Sequence, residues 1–136
     1  MTEPKWLTVD LIIAIHDEQL REFGGPPGIR DMGALESALG RPRNRWAYEG
    51  GHLSRLAAAY GFGIARNHPF VDGNKRAALL GITAFLGLND FELTASEAEA
   101  VVMIRELAAG NVNEEVLARW IADNMSPAQD VSFDEE

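Results

Sequence analysis

Nine consecutive residues, His68-Pro69-Phe70-Val71-Asp72-Gly73-Asn74-Lys75-Arg76, carry a candidate base, a candidate metal ligand, a phosphate nest and two cations. These are the parts of a phosphoryl-transfer site. An imidazole at His68 is suited to taking a proton from a hydroxyl. A carboxylate at Asp72 is suited to Mg²⁺ bridging phosphate oxygens, because magnesium sites commonly use one or two carboxylates and leave the other positions to substrate. Pro69 disfavours helical geometry for His68, and Gly73 supplies a φ > 0 position for a tight loop. The apolar run from Ala77 to Leu86 reads as a buried helix, so the loop opens directly onto its first turn. The unpaired N–H groups of Gly73, Asn74 and Lys75 then face whatever sits in the loop, and the helix dipole favours an anion there. Lys75 and Arg76 oppose that dipole, which points to a bound anion that compensates them. Singly, these residues have plainer uses: Asp72 as a helix cap, Phe70 as a core anchor, Arg66 in a structural ion pair.

Together they resemble the signature of the Fic/Doc family, HxFx(D/E)(G/A)N(G/K)R, matched here by His68, Phe70, Asp72, Gly73, Asn74 and Arg76. Lys75 stands where the AMP-transferring Fic branch has glycine and the Doc (death-on-curing) branch has lysine, so the Doc branch is favoured. Leu11-Ile12-Ile13-Ala14-Ile15-His16-Asp17, Gly24-Gly25-Pro26-Pro27-Gly28 and Ala47-Tyr48-Glu49 resemble Doc toxin segments in the same order, and the likeness spans roughly residues 8–125. The resemblance implies a toxin of a toxin–antitoxin pair, a kinase that uses ATP and Mg²⁺ to phosphorylate a threonine of translation elongation factor Tu. It makes His68 the base and Asp72 the metal ligand. Gly73, Asn74, Lys75, Arg76 and Arg66, two residues before His68, then hold the nucleotide. Arg43, Trp46, Tyr48 and Glu49 become a flap that clamps the target. A cognate antitoxin with a disordered C-terminal segment is implied as inhibitor, since the chain has no (S/T)xxxE(G/N) self-inhibiting motif. Adenylyl transfer, towards which Pro69 and Gly73 incline, is the enzymatic alternative; a non-catalytic antitoxin-binding module is the third reading.

The elements that must position the motif follow from caps and periodicity. Thr8 caps a helix over Val9–Phe23, with Leu7 and Ile12 spaced as a hydrophobic staple, and residues 24–28 end it. Asp31 caps a second helix to about Leu39, which Pro42 prevents from simply continuing. Residues 41–51 read as an exposed arm or flap. A third helix over residues 53–66 leads to the motif loop, and a fourth runs to about Leu88. Phe91-Glu92-Leu93 alternates as an extended piece does. Ser96 and Glu99 form a capping box for Glu97–Ala109, stopped by Gly110, and Asn113 caps a last helix to about Asn124. The expectation is an all-α, compact single-domain bundle over residues 1–125 with a disordered acidic tail at 126–136. The Fic/Doc fold is likewise helical, with the motif loop between two central helices.

Composition narrows the partners. The chain has 136 residues, a net charge of −9 and no cysteine. That charge argues against direct nucleic-acid binding, which relies on Lys and Arg neutralising phosphates. Thiolate metal sites are excluded, and a cytoplasmic location is expected from the lack of disulfides, signal peptide and membrane span. Seven carboxylates beyond Gly110 face Arg119 alone and read as a solvated face and tail. The pair His16-Asp17 suggests a metal phosphohydrolase, but too few further ligands exist, and His16 is assigned to packing.

Overall fold

A computed structural model describes residues 2–128. Six helices follow one another: α1 (Val9–Phe23), α2 (Met32–Glu49), α3 (Leu53–Asn67), α4 (Asn74–Leu88), α5 (Glu97–Ala109) and α6 (Glu114–Asp123). Two three-residue strands, β1 (Phe91–Leu93) and β2 (Met125–Pro127), pair antiparallel with Phe91 opposite Pro127. The fold is thus helical as expected, with one small ribbon. Its caps are those the sequence specifies: Thr8, Asp31, Ser96 with Glu99, and Asn113 each accept from the first turn of their helix.

The centre is α3. Every residue from Leu56 to Gly61 is buried, so no face of that stretch reaches solvent, the mark of a core helix. It packs against α2, α4, α5 and α6. Small residues make the close approaches possible: a Cβ on Gly63 would stand 3.0 Å from Ala38 Cα in α2. α4 lies against α3 with Ala77, Ala78, Ile82, Phe85 and Leu86 buried. The motif loop is therefore strung between the two most enclosed helices.

Two expectations need correction. Residues 41–49 are helical rather than an irregular arm, because α2 continues through Pro42 to Glu49. Pro42 gives no hydrogen bond to the Ala38 carbonyl, but side-chain contacts hold the helix on both sides of the break. Leu35, Ala38, Leu39 and Pro42 are buried, Trp46 sets its ring edge against Trp6 at 6.3 Å, and Arg43 lies over the Trp6 ring at 5.3 Å. Glu49 faces Arg45 and Arg55; Tyr48 projects, 89% exposed. The second correction concerns the acidic end. Glu114, whose side chain is 13% exposed, pairs with Arg41 and Arg45, and Glu115 pairs with Arg55. Glu114 ties α6 to α2 rather than lying on a solvated face, while Glu115 stays largely in solvent, its side chain 62% exposed. Ser126 and Pro127, assigned to the tail, lie in β2, and the Ala128 N–H donates to the Asp90 carbonyl. Residues 129–136 of that tail lie outside the described residues.

Tyr60 in α3 anchors the N-terminal segment. The Leu7 N–H donates to its hydroxyl at 2.9 Å, and the hydroxyl donates to the Leu7 carbonyl at 3.3 Å. Burial pushes this phenol up from 10.0 to about 12, against smaller lowering effects from the Leu7 hydrogen bond and Arg43. Below pH 10 both folded and unfolded chains keep the proton, so the contribution is constant. Between pH 10 and 12 only the unfolded chain releases it, and stability falls by about 1.4 kcal/mol per pH unit. Urea unfolding across this window should show that slope, and Tyr60→Phe should flatten it while lowering stability at neutral pH by about 1–3 kcal/mol through the orphaned Leu7 N–H.

Candidate active site

The loop from α3 to α4 begins with a strained residue. His68 caps α3 at φ 49, ψ 57, the left-handed region that non-glycine residues rarely occupy. The following proline disfavours continuation of the helix, and the surrounding contacts fix the turn. Arg30 donates Nε to the His68 carbonyl at 2.6 Å and Nη2 to the Asn67 carbonyl at 2.8 Å. The Pro69 carbonyl accepts from the Arg30 and Asp31 N–H groups, and the Val71 N–H donates to the Gly28 carbonyl. Residues 28–31 thus run beside the motif, with Ile29 bridging Phe70 in antiparallel fashion.

Asn74 closes the loop on itself. Its Oδ1 accepts the Phe70 N–H at 2.9 Å and its Nδ2 donates to the Phe70 carbonyl at 2.9 Å. Oδ1 and one Nδ2 hydrogen of Asn74 are thus used inside the protein, while the residue also lines the cleft described below. The second Nδ2 hydrogen and the backbone N–H remain for a ligand. Phe70 is the expected core anchor, 1% exposed.

His16 is a support that the sequence reading consigned to general packing. It is 2% exposed, stacks on Phe70 with centroids 3.8 Å apart and planes 10° apart, and brings Nε2 within 2.7 Å of the Asp72 carbonyl. A carbonyl only accepts, so Nε2 carries the proton. His16 is therefore part of the loop's scaffold, and no cluster of three or more His, Asp or Glu suited to a metal occurs among the described residues.

The result is a loop whose carbonyls at Asn67, His68, Pro69, Phe70 and Asp72 are all engaged, followed by amides that are not. Gly73 caps α4 at φ 77, ψ 22, with no side-chain cap and no acid in the first turn. The first N–H groups of α4 face a cleft of about 500 Å³ bounded by His68, Asp72, Gly73, Asn74, Lys75 and Arg76. That volume is in the range of small-ligand sites. Leu79, Ile104 and Arg105 form its far wall. Arg105 reaches the site from α5, about thirty residues along the chain, and no local pattern marked it.

Arg66 does not join this group. Its guanidinium lies over the Phe62 ring at 5.4 Å, and Arg41 lies over that ring at 4.7 Å. Tyr48 and Glu49 line a different cavity, of about 370 Å³, with Arg41 and Arg45. The motif cleft is the better candidate because it alone combines unpaired helix amides, cations and a carboxylate. One carboxylate is too few to hold Mg²⁺ from the protein alone, yet it is the usual number where phosphates complete the shell. The donor set thus fits a magnesium–polyphosphate pair.

A family model described as Fic/DOC family matches residues 6–86, from before α1 into the last turn of α4. "Protein kinase doc" of Escherichia phage P1 is 35% identical over 115 residues, covering 84% of this chain and 87% of that protein. "Toxin Doc" of Mycolicibacterium smegmatis is 35% identical over 112 residues, covering 79% of this chain and 85% of its own. If the Asn74 side chain serves the loop, Asn74→Ala should speed hydrogen exchange at the Phe70 N–H by about tenfold, the equivalent of one hydrogen bond, while core amides of α3 keep their protection. An unchanged Phe70 rate would count against that assignment.

Proposed function

The chain belongs to the Fic/DOC family, and from that membership we propose that it is the toxin of a toxin–antitoxin pair. On this reading it is a protein kinase that moves the γ-phosphoryl group of ATP to a threonine hydroxyl of elongation factor Tu and arrests translation. The printed names of the two relatives support the toxin and kinase terms. The observation that carries the reading is Lys75 in the first turn of α4, on the wall of the cleft beside Asp72 and the helix amides. A glycine there leaves the nest open to the α- and β-phosphates, as in the AMP-transferring branch. A lysine fills that space, adds a cation, and favours the reversed pose with the γ-phosphate toward the target.

Each residue then has one task. His68, at the mouth of the loop, takes the proton of the threonine hydroxyl. The hydroxyl oxygen bonds to the γ-phosphorus, the bond to the β,γ-bridging oxygen breaks, and ADP leaves with that electron pair. Lys75, Arg76 and the N–H groups at the start of α4 stabilise the charge on the phosphoryl oxygens. Asp72 would hold Mg²⁺, which when bound neutralises and orients the phosphates. Inhibition comes in trans, from an antitoxin whose C-terminal segment orders on binding. Among the described residues no helix is long and apolar enough to cross a membrane, and the proposed target places the protein in the cytoplasm.

Incubation with elongation factor Tu and ATP labelled at either phosphorus tests the chemistry. Label from the γ position should appear on the target and α-label should not, and His68→Ala should lower the rate by about 10²–10⁴-fold. Transfer of α-label would establish adenylyl transfer instead, and transfer of neither would leave a binding module. Lys75→Gly should weaken γ-transfer by about 2–4 kcal/mol in barrier, the range for a lost transition-state donor; full kinase activity in that variant would contradict the role given to Lys75.

A further inference from the structure

Phe23, the last residue of α1, is 54% exposed although its side chain is large and apolar. Core packing does not account for it. The Arg76 guanidinium carbon lies 4.0 Å from the centroid of its ring, well inside the distance at which a cation is attracted to an aromatic face. Arg76 also bounds the cleft, and among the described residues no carboxylate forms an ion pair with it. The chain just beyond Phe23 comes close to a second charged side chain of the motif. Gly25 has φ 120, and a Cβ placed on it would stand 2.7 Å from Asp72 Oδ2. The exit of α1 thus meets both Arg76 and Asp72.

We infer that Phe23 is a positioning residue for Arg76, its ring holding the guanidinium at the cleft wall while bare Gly25 leaves the recess that Asp72 occupies. This rests on the nucleotide reading of the cleft proposed above. An aromatic face suits the task better than a carboxylate. It restrains the long side chain without consuming the N–H donors at the guanidinium edge and without cancelling its charge. Part of the rotamer freedom that Arg76 must lose on meeting a phosphate is lost beforehand, so binding costs less.

Two variants and two readouts test it. Phe23→Leu removes the ring and Phe23→Tyr keeps it; the site is at the surface, and unfolding midpoints equal to the parent's confirm that both fold. Without ligand, the Arg76 Nε–H resonance should lie upfield in the parent and in Phe23→Tyr through the ring current, and return to its ordinary position in Phe23→Leu. In calorimetry with Mg²⁺ and β,γ-imido-ATP, Phe23→Leu should bind roughly two- to fivefold more weakly, the worth of an exposed cation–aromatic contact. Phe23→Tyr should bind as the parent does. A resonance indifferent to Phe23→Leu overturns the inference, and so does parental affinity in that variant. A parent that binds no nucleotide overturns the reading of the cleft itself and the inference with it, an outcome separate from a parent that binds and a Leu variant that binds equally well.

Discussion

The site depends on the satisfaction of one short stretch of backbone. Between Asn67 and Asp72 the chain leaves α3 through a left-handed histidine and has to turn into α4 without a regular ladder of its own. Carbonyls left unpaired there, where Pro69 and Phe70 are buried, would destabilise the loop. Arg30, the Arg30 and Asp31 amides, Asn74 and His16 take them one after another. Because acceptors are consumed and the α4 donors are not, the loop has a direction. It offers N–H groups, and with them the positive end of a helix, to the cleft. That surface favours an anion.

The charges elsewhere in the molecule preserve that selectivity. The protein is acidic overall, yet Arg41, Arg45 and Arg55 of α2 and α3 are matched by Glu49, Glu114 and Glu115. Lys75, Arg76 and Arg105 at the cleft form no ion pair among the described residues. Internal pairing on one side of the bundle leaves the cationic character of the cleft uncancelled on the other. The enclosed α3–α4 core, with glycine and alanine at its closest approaches, gives this arrangement a rigid base.

Local chemistry was legible in the sequence, and long-range chemistry was not. Caps such as Thr8 and the Ser96–Glu99 box act within one turn, so they mark their helices in any context. The motif is contiguous, and His68, Asp72, Gly73, Asn74, Lys75 and Arg76 do meet in one cleft, with Asn74 also bonded to Phe70, a second role that the pattern does not record. Pro42 signals a helix end, and tertiary packing around Trp6 and Trp46 overrides that signal. The partners of Glu114 and Glu115 lie about sixty to seventy residues away, as do Arg105 and the motif in kind if not in distance, and nothing in a one-dimensional pattern records such meetings. His16 was read as packing when it is also a donor to the Asp72 carbonyl, a role set by the fold alone.

The most direct test of the account is amide NMR of the nitrogen-15-labelled protein titrated with Mg²⁺ and β,γ-imido-ATP. The account predicts that the amides of Gly73, Asn74, Lys75 and Arg76 shift together and saturably, while those around Arg41, Arg45 and Tyr48 stay in place. Saturable shifts confined to the Arg41–Tyr48 cavity, or none at the start of α4, would contradict it.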